Sequence, residues 1–210
     1  MNKNYFCKFT PNGWNKNDWQ HVGSPRWNGT SYWLQNEDHI VNHLPENLTE
    51  EEIIQEKFPA SECYVSMLLK QPVKASAFFS TVCSFDHIAA PLLVLSQENG
   101  PIYHVHLEIV LYNEGINVWH HFFKDNTPSW QLIAAGKFPL NAKQRYRMNV
   151  AFYKTEEGWF LNIECPGFPA IQHQLETDWP ETYFVGITAC EGINRFYEFE
   201  LKGDVPPLQK

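Results

Sequence analysis

Five side chains that could bind a ligand or transfer protons lie within one short stretch of the chain, residues 104–121. They are His104, His106, Glu108, Trp119 and His121. Imidazole and carboxylate groups exchange protons and form charged hydrogen bonds, and an indole ring offers an apolar plane for stacking. The first three lie at alternate positions, and so do the last two, which places side chains on the same side of a β-strand. The stretch therefore predicts two strands that share one chemically active face.

The residues between these side chains predict how the two strands pair. Odd positions from 103 to 111 and even positions from 116 to 122 are mostly apolar. A two-residue hairpin loop at Glu114-Gly115 would place both apolar rows on one side. That register makes Glu108 and His121 direct cross-strand partners, and a slip of one residue would turn the polar row into the core. We therefore expect a hairpin with one core-facing row and one patch of the five side chains.

Length, charge and hydropathy limit what kind of protein this is. A chain of 210 residues is typical of one domain, so residues 1–210 are predicted to fold as a single unit. The net charge of −8 argues against a nucleic acid or an anionic membrane as partner, because both need a basic face. No apolar run is long enough for a membrane helix. The oligomeric state is left open.

The number and spacing of the cysteines indicate whether the protein belongs in a reducing or an oxidising compartment. There are five of them, an odd number, scattered along the chain without the Cys-x-x-Cys spacing of zinc or redox sites. The sequence also begins without the apolar segment of a secretory signal. We therefore expect free thiols in a reducing, cytoplasmic environment and no disulfide framework.

Secondary-structure patterns predict an all-β protein. Short runs bounded by proline, glycine or asparagine predict strands over residues 63–70, 75–85, 92–97, 102–112, 116–123, 146–153, 159–165, 183–190 and 194–201. One short helix is predicted near residues 50–57, since Thr49 and Glu52 have the spacing of a capping box. Many strands without an alternation of strand and helix indicate a sandwich or a barrel.

The end of the chain resembles a known superfamily. A strand that begins Trp159-Phe-Leu-Asn-Ile is followed by Tyr183-Phe-Val-Gly-Ile-Thr and by the final pattern Arg195-Phe-Tyr-Glu-Phe. Over about residues 60–202 the chain resembles concanavalin A-like lectin/glucanase domains. The resemblance implies a jelly-roll β-sandwich of two curved antiparallel sheets that hold ligands on the concave face, where the strand of residues 104–108 would fit. The tryptophan-rich segment 1–60 matches nothing comparable, and its role is not predicted.

A carbohydrate, either an oligosaccharide or a sugar derivative, is the ligand that the resemblance and the patch favour together. A sugar ring has an apolar face for an indole and hydroxyl groups for carboxylate and imidazole groups. We expect no cofactor. The predicted ligand contacts are His104, His106, Glu108, Trp119 and His121, with Arg147 extending the groove if its strand joins the same sheet.

A carbohydrate-active enzyme is the first alternative. In retaining glucanases the resemblance implies a Glu-x-Asp-x-Glu strand, but the matching positions here are His104, His106 and Glu108. Only one of the two carboxyl groups that retaining hydrolysis requires is left. A glycosidase, lyase or epimerase would have to use Glu108 with a nearby base, for which Tyr112 and His121 are the candidates. Whether the protein is an enzyme is left open.

Two further hypotheses concern other partners. His-x-His on a strand directs two imidazoles the same way, and His121 or Glu108 could complete a transition-metal site. The cupin motif that would support this is absent, because a single residue separates His106 from Glu108, so we expect no metal. Alternatively, a sandwich with surface aromatic residues could bind another protein and no small ligand.

Overall fold

Two antiparallel sheets make up the protein in the computed structural model, which describes residues 4–203 except 28, 30, 47, 50, 51, 53–59 and 88. One sheet, called the site sheet, carries the predicted hairpin, and the other is called the opposite sheet. The opposite sheet contains β1 (Tyr5–Lys8), β3 (Trp33–Gln35), β4 (Ile40–Asn42), β7 (Ala77–Phe85), β12 (Tyr146–Thr155), β13 (Gly158–Glu164), β14 (Ile171–Gln174) and β16 (Asn194–Gly203). The site sheet contains β2 (Trp19–His21), β5 (Val65–Leu69), β6 (Val73–Lys74), β8 (Pro91–Ser96), β9 (His106–Tyr112), β10 (Gly115–Lys124), β11 (Thr127–Lys137) and β15 (Thr182–Ala189).

The strand order is that of a jelly-roll β-sandwich. The site sheet runs β11-β10-β9-β8-β15-β5-β2 with β6 paired to β15, and the opposite sheet runs β14-β13-β12-β7-β16-β4-β3 with β1 paired to β16. Neighbours in each sheet come from distant parts of the chain, as β15 between β5 and β8 shows. The predicted all-β sandwich is confirmed. Within the described ranges, no helix has both the length and the apolar character needed to cross a membrane.

The nine strands predicted from the sequence are all present, with ends displaced by at most four residues. The prediction missed the other seven described strands, of which β11 is the longest, with 11 residues, and forms an edge of the site sheet. β11 follows a tight turn at Asp125-Asn126, whose φ angles are 51° and 61°. Two successive positive φ angles are typical of the two-residue turns that join hairpin strands, and asparagine and aspartate tolerate them. The signal for β11 was therefore present in the sequence.

The tryptophan-rich N-terminal segment contributes strands to both sheets. β1 pairs with β16 and β2 pairs with β5. Trp19 is buried in the core between the sheets, where its ring contacts Phe199 edge-on at 5.2 Å. Trp27 lies instead on the outer face of the site sheet, against Tyr64. The segment thus completes the sandwich and covers part of one face.

The helix predicted near residues 50–57 lies mostly outside the described residues. Its capping box is present, because the Thr49 hydroxyl accepts a hydrogen bond from the Glu52 backbone N–H at 3.2 Å and the Glu52 carboxylate accepts one from the Thr49 N–H at 2.9 Å. The α-helix with described ends is α1, Ala60–Cys63, directly before β5. The N-terminal signal was therefore correct, while the extent of the predicted helix stays a prediction.

The core between the sheets is rich in aromatic residues. Phe152 is fully buried, stacks on Trp159 at 4.6 Å between ring centroids, and meets Trp179 and Tyr183 edge-on. The five cysteines are all buried, and none of them forms a disulfide. A second apolar cluster covers the outer face of the site sheet, because alternate residues of β5 and β8 point away from the core. The outer face of the site sheet is therefore less exposed than expected for a sheet with one buried face and one face in contact with solvent.

The β9–β10 hairpin turns one residue earlier than predicted. The loop is Asn113-Glu114, and Gly115 is already in β10, paired with Tyr112. The predicted pairing of Glu108 with His121 is therefore wrong: Glu108 lies opposite Trp119, and His121 lies opposite His106. A shift of one turn position changes the register by two residues, so every side chain of the two strands keeps its face. The position of Gly115 is explained by its φ of 136°, which side chains rarely adopt.

Gly115→Ala is expected to lower the free energy of unfolding by about 1–3 kcal/mol. A Cβ at this position would overlap the backbone carbonyl of Gly136 on the neighbouring strand β11. Gly167→Ala is the matched control, because Gly167 also has a positive φ of 94° but has open space around its Cα. Urea unfolding of both variants separates the strain of a positive φ angle from the steric overlap with Gly136. Equal losses would show that the close approach of β10 and β11 at Gly115 contributes nothing.

Candidate functional site

A cavity of ≈300 Å³ lies on the outer face of the site sheet. Its floor is formed by β9 and β10, one wall by the exposed edge strand β11, and the other by residues around Ala90 and Cys190. The loop that carries Arg26 and Trp27 closes it from above. The cavity lies directly beside the second apolar cluster on this face, because Ala90, Leu92 and Cys190 belong to both.

Glu108 lies between two histidines in the floor of this cavity. One carboxylate oxygen, Oε1, is 3.4 Å from His106 Nε2, and the other, Oε2, is 2.9 Å from His121 Nε2. The three residues are 5%, 2% and 5% exposed, so they form a buried polar cluster rather than the open patch expected from the sequence. His106 and Glu108 share a face because they alternate along β9, and His121 reaches Glu108 diagonally from β10.

Aromatic rings hold the two histidines in place. The rings of Tyr103, His106, His121 and Trp130 are stacked in that order across the sheet, with successive centroids 4.5, 4.5 and 6.5 Å apart. The Tyr103 hydroxyl forms a 2.6 Å hydrogen bond with Ser66, and Ser66 forms another of 2.6 Å with Thr188. The order follows from the register, since His121 is the cross-strand partner of both His106 and Trp130. Each imidazole therefore has an aromatic ring on either side, and the widest spacing is the one between His121 and Trp130.

Burial and mutual contact shift the pKa values of this cluster. Burial alone would raise the pKa of Glu108, but contact with His106 and His121 outweighs it and holds the pKa well below the ordinary value of 4.5. Burial lowers the pKa of His106, and its contact with Glu108 compensates only in part. Glu108 is therefore a buried carboxylate anion at neutral pH, beside an imidazole that the protein keeps uncharged.

The walls of the cavity carry aromatic and hydrogen-bonding groups. Trp119, which is half-buried, and Trp130, which is 51% exposed, both line it. The Arg26 guanidinium lies over two indole rings, 4.0 Å from the centroid of Trp27 and 4.9 Å from that of Trp130. This cation–π contact connects the N-terminal loop to β11 across the cavity mouth. Asn117 adds a side-chain amide to the wall formed by β10.

Two of the predicted ligand contacts lie elsewhere. His104 precedes β9 in a bend, and its side chain is 62% exposed beside Glu98, so it does not join the cluster. Arg147 lies on β12 in the opposite sheet, where it forms a 2.7 Å ion pair with Glu198. It cannot extend a groove on the site sheet. The face of Tyr103 was also predicted wrongly, because the chain bends before β9 and turns its ring to the polar side.

The structure brings together four of the predicted residues and adds others. Glu108, Trp119 and His121 line the cavity, and His106 contacts Glu108 without being part of the cavity lining. Sequence reasoning missed Trp130 because it missed β11, although the Asp-Asn turn was a usable signal. It missed Arg26 because no local pattern indicates that a loop about eighty residues away folds over β9.

Solved structures of other proteins share this architecture over nearly the whole chain. The carbohydrate recognition domain of Emp47p has a TM-score of 0.61 at 14% identity, covering 95% of each chain. The carbohydrate-binding module CBM66 from Bacillus subtilis has a TM-score of 0.55 at 11% identity, covering 86% of this chain and 92% of that one. A native glycosidic hydrolase has a TM-score of 0.58 at 8% identity, covering 99% of each chain.

These neighbours show that the protein has the concanavalin A-like lectin/glucanase fold. At 8–14% identity the likeness concerns the fold alone, and the same fold here includes binding domains and a hydrolase. No protein-family model and no curated protein matches the sequence. Function therefore has to be argued from the cavity itself.

Proposed function

We propose that the cavity of the site sheet binds a carbohydrate, either a short oligosaccharide or a sugar derivative. The observation that carries this proposal is the combination, in one recess, of indole rings with a buried carboxylate and an imidazole. Trp119 or Trp130 would stack on the apolar face of a sugar ring, and Glu108 would accept hydrogen bonds from its hydroxyl groups. The carbohydrate-binding neighbours support the proposal at the level of the fold.

The dimensions of the cavity restrict the ligand. Its volume of ≈300 Å³ lies at the lower end of the range for small-molecule sites, about 300–1,000 Å³. Arg26, stacked on two tryptophans, closes one side, so the recess resembles a pocket more than an open groove. We therefore infer that one or two sugar units enter it, such as the end of a chain, rather than the middle of a long polysaccharide.

An enzyme acting on a carbohydrate is the second candidate. The observation that favours it is that Glu108 and His121 both line the cavity, with 2.9 Å between Oε2 and Nε2, since a histidine beside a carboxylate can act as a general base. Retaining hydrolysis would need a second carboxyl group at about 5–5.5 Å, and residues 104 and 106 of the strand are histidines. A proton transfer by His121 would therefore fit this site better than a covalent glycosyl intermediate.

Trp119→Ala is expected to weaken binding of the sugar about tenfold, because the stacking surface beside Glu108 is removed. The ligand is first identified by isothermal titration calorimetry with a panel of plant and bacterial mono- and oligosaccharides. Phe6→Ala is the control, since Phe6 is an exposed aromatic residue, 55% accessible, on the opposite sheet. A panel in which no sugar binds, or a loss that Phe6→Ala reproduces, would contradict the proposal.

A further inference from the structure

Glu108 carries a carboxyl group that is almost completely buried, with 5% of its surface exposed. In the described part of the chain, its ion-pair contacts are the imidazoles of His106 and His121, and no lysine or arginine lies within ion-pair distance. Placing an anion in a buried site is unfavourable unless a cation or several hydrogen bonds compensate its charge. A cation bound next to Glu108 would be one way to compensate this buried carboxylate.

The three side chains also supply a suitable donor set. One ligand atom from each of His106, Glu108 and His121 lies within 4.8 Å of the others. The contacts between Glu108 oxygens and the two Nε2 atoms, 3.4 and 2.9 Å, bracket the roughly 3.3 Å between neighbouring donors around a tetrahedral zinc ion with bonds of about 2.0–2.1 Å. Two imidazoles with one carboxylate favour a transition metal over calcium or magnesium, which prefer oxygen ligands.

Two buried nitrogens of the cluster have no hydrogen-bond partner. Although His121 Nε2 is 2.9 Å from Glu108, the ring is not oriented so that its N–H would point at the oxygen. His106 Nδ1 also has no partner among the described residues. Buried polar atoms are nearly always satisfied, and an orphaned one marks strain or a place for a water or an ion. His121 lines the cavity, although this nitrogen atom is itself buried.

We propose that His106, Glu108 and His121 bind one divalent transition-metal ion of the zinc class, with an open coordination position facing the cavity. The two imidazole planes are 12° apart and stacked, so their lone pairs do not meet at one point as they stand. Binding requires one ring to turn about its Cβ–Cγ bond. His121 is that ring, because the cavity leaves room beside it while His106 is enclosed by Tyr103.

Metal binding does not depend on the proposed carbohydrate function. A metal with an open position toward the cavity could also coordinate a hydroxyl group of the ligand, and only that extension rests on the carbohydrate proposal. Sugar binding without zinc binding would overturn the metal site alone. Zinc binding without any sugar ligand would leave the metal site standing and remove the proposed function.

The test is a titration of the full chain, freed of metal with EDTA and dialysed, with Zn²⁺, and with Ca²⁺ in parallel. We expect one equivalent of Zn²⁺ to bind with a Kd below about 10 μM and to raise the Tm by several degrees, because a ligand of the folded state stabilises it. Ca²⁺ is expected to have no such effect. Zinc affinity weaker than millimolar, or equal stabilisation by Ca²⁺, would overturn the proposal.

His121→Asn and His106→Gln are each expected to weaken Zn²⁺ binding about 100-fold or more, since each removes a ligand. His104→Gln is the control, because His104 is exposed two residues before His106 and outside the cluster. Binding that survives in both ligand variants, or is lost in the control, would identify adventitious surface binding and refute the site. Co²⁺ absorption spectra provide a second readout: tetrahedral bands in the natural protein and their loss in His121→Asn support the site, and their absence contradicts it.

Discussion

Acid is expected to destabilise the EDTA-treated protein steeply below about pH 6.5. Burial lowers the pKa of His106 from its ordinary value of 6.5, so the folded state keeps this imidazole neutral while the unfolded chain takes up a proton. Because the unfolded state then binds more protons than the folded state, the free energy of unfolding decreases as the pH is lowered, by up to about 1.4 kcal/mol per pH unit. The loss continues until the pH reaches the folded pKa of His106.

A second loss is expected at lower pH. The pKa of Glu108 in the folded protein lies well below the ordinary value of 4.5, so its contribution to stability is complete above pH 4.5 and declines as the pH falls. Urea unfolding between pH 7.5 and pH 4 measures both effects. His106→Gln is expected to reduce the slope that begins near pH 6.5, to which His21, His120 and His173 also contribute because burial lowers their pKa values, and the exposed His104→Gln is expected to leave the slope unchanged. A flat profile between pH 7 and pH 5 would contradict the burial of a neutral His106.

Glu108→Gln is expected to weaken sugar binding about 10- to 100-fold in the EDTA-treated protein. Glutamine has nearly the size of glutamate, but it lacks the charge, and a hydrogen bond to a charged group contributes about 1.5–3 kcal/mol. Glu181→Gln is the control, since Glu181 is an exposed carboxylate that pairs with Lys154 and does not line the cavity. Calorimetric titration with the sugar found in the screen gives both affinities.

The same variant separates a binding protein from an enzyme. If the protein converts its sugar, Glu108→Gln should leave affinity nearly intact and reduce turnover about 100-fold or more, because acid–base catalysis acts on the transition state. A loss of affinity without any detectable turnover in the natural protein supports the binding function. No change in either quantity would show that Glu108 takes no part in the site.

Local patterns in the sequence were sufficient for most of the site sheet. Alternation along residues 106–112 and 115–124 placed His106 and Glu108 on one face and Leu107 and Ile109 in the core, as observed. This works because a strand directs successive side chains to opposite sides, whatever its neighbours are. The error at the turn left the faces unchanged, since it displaced the register by two residues. The partner of Glu108 was nevertheless wrong, and a loop conformation decided it.

Local sequence patterns could not predict contacts between segments that lie far apart in the chain. Arg147 has the same alternation as a residue of the site sheet, yet β12 joins the opposite sheet, because strand order depends on which hydrophobic faces meet. Burial of Glu108 and His106 was likewise unforeseen, since a polar residue on an outer face is usually exposed. It results from the N-terminal loop and from Trp130 on β11, which surround a face that the hairpin alone would leave open.

The sequence by itself determined the all-β class, nine of the sixteen described strands, and the side of the sheet to which His106, Glu108, Trp119 and His121 point. These properties follow from periodicity and turn residues, which act between near neighbours in the chain. Only the tertiary structure decided that β10 brings His121 to 2.9 Å from Glu108, that Arg26 and Trp27 close the cavity, and that Arg147 lies on the other sheet. Those outcomes depend on the packing of residues far apart in sequence, which no local pattern encodes.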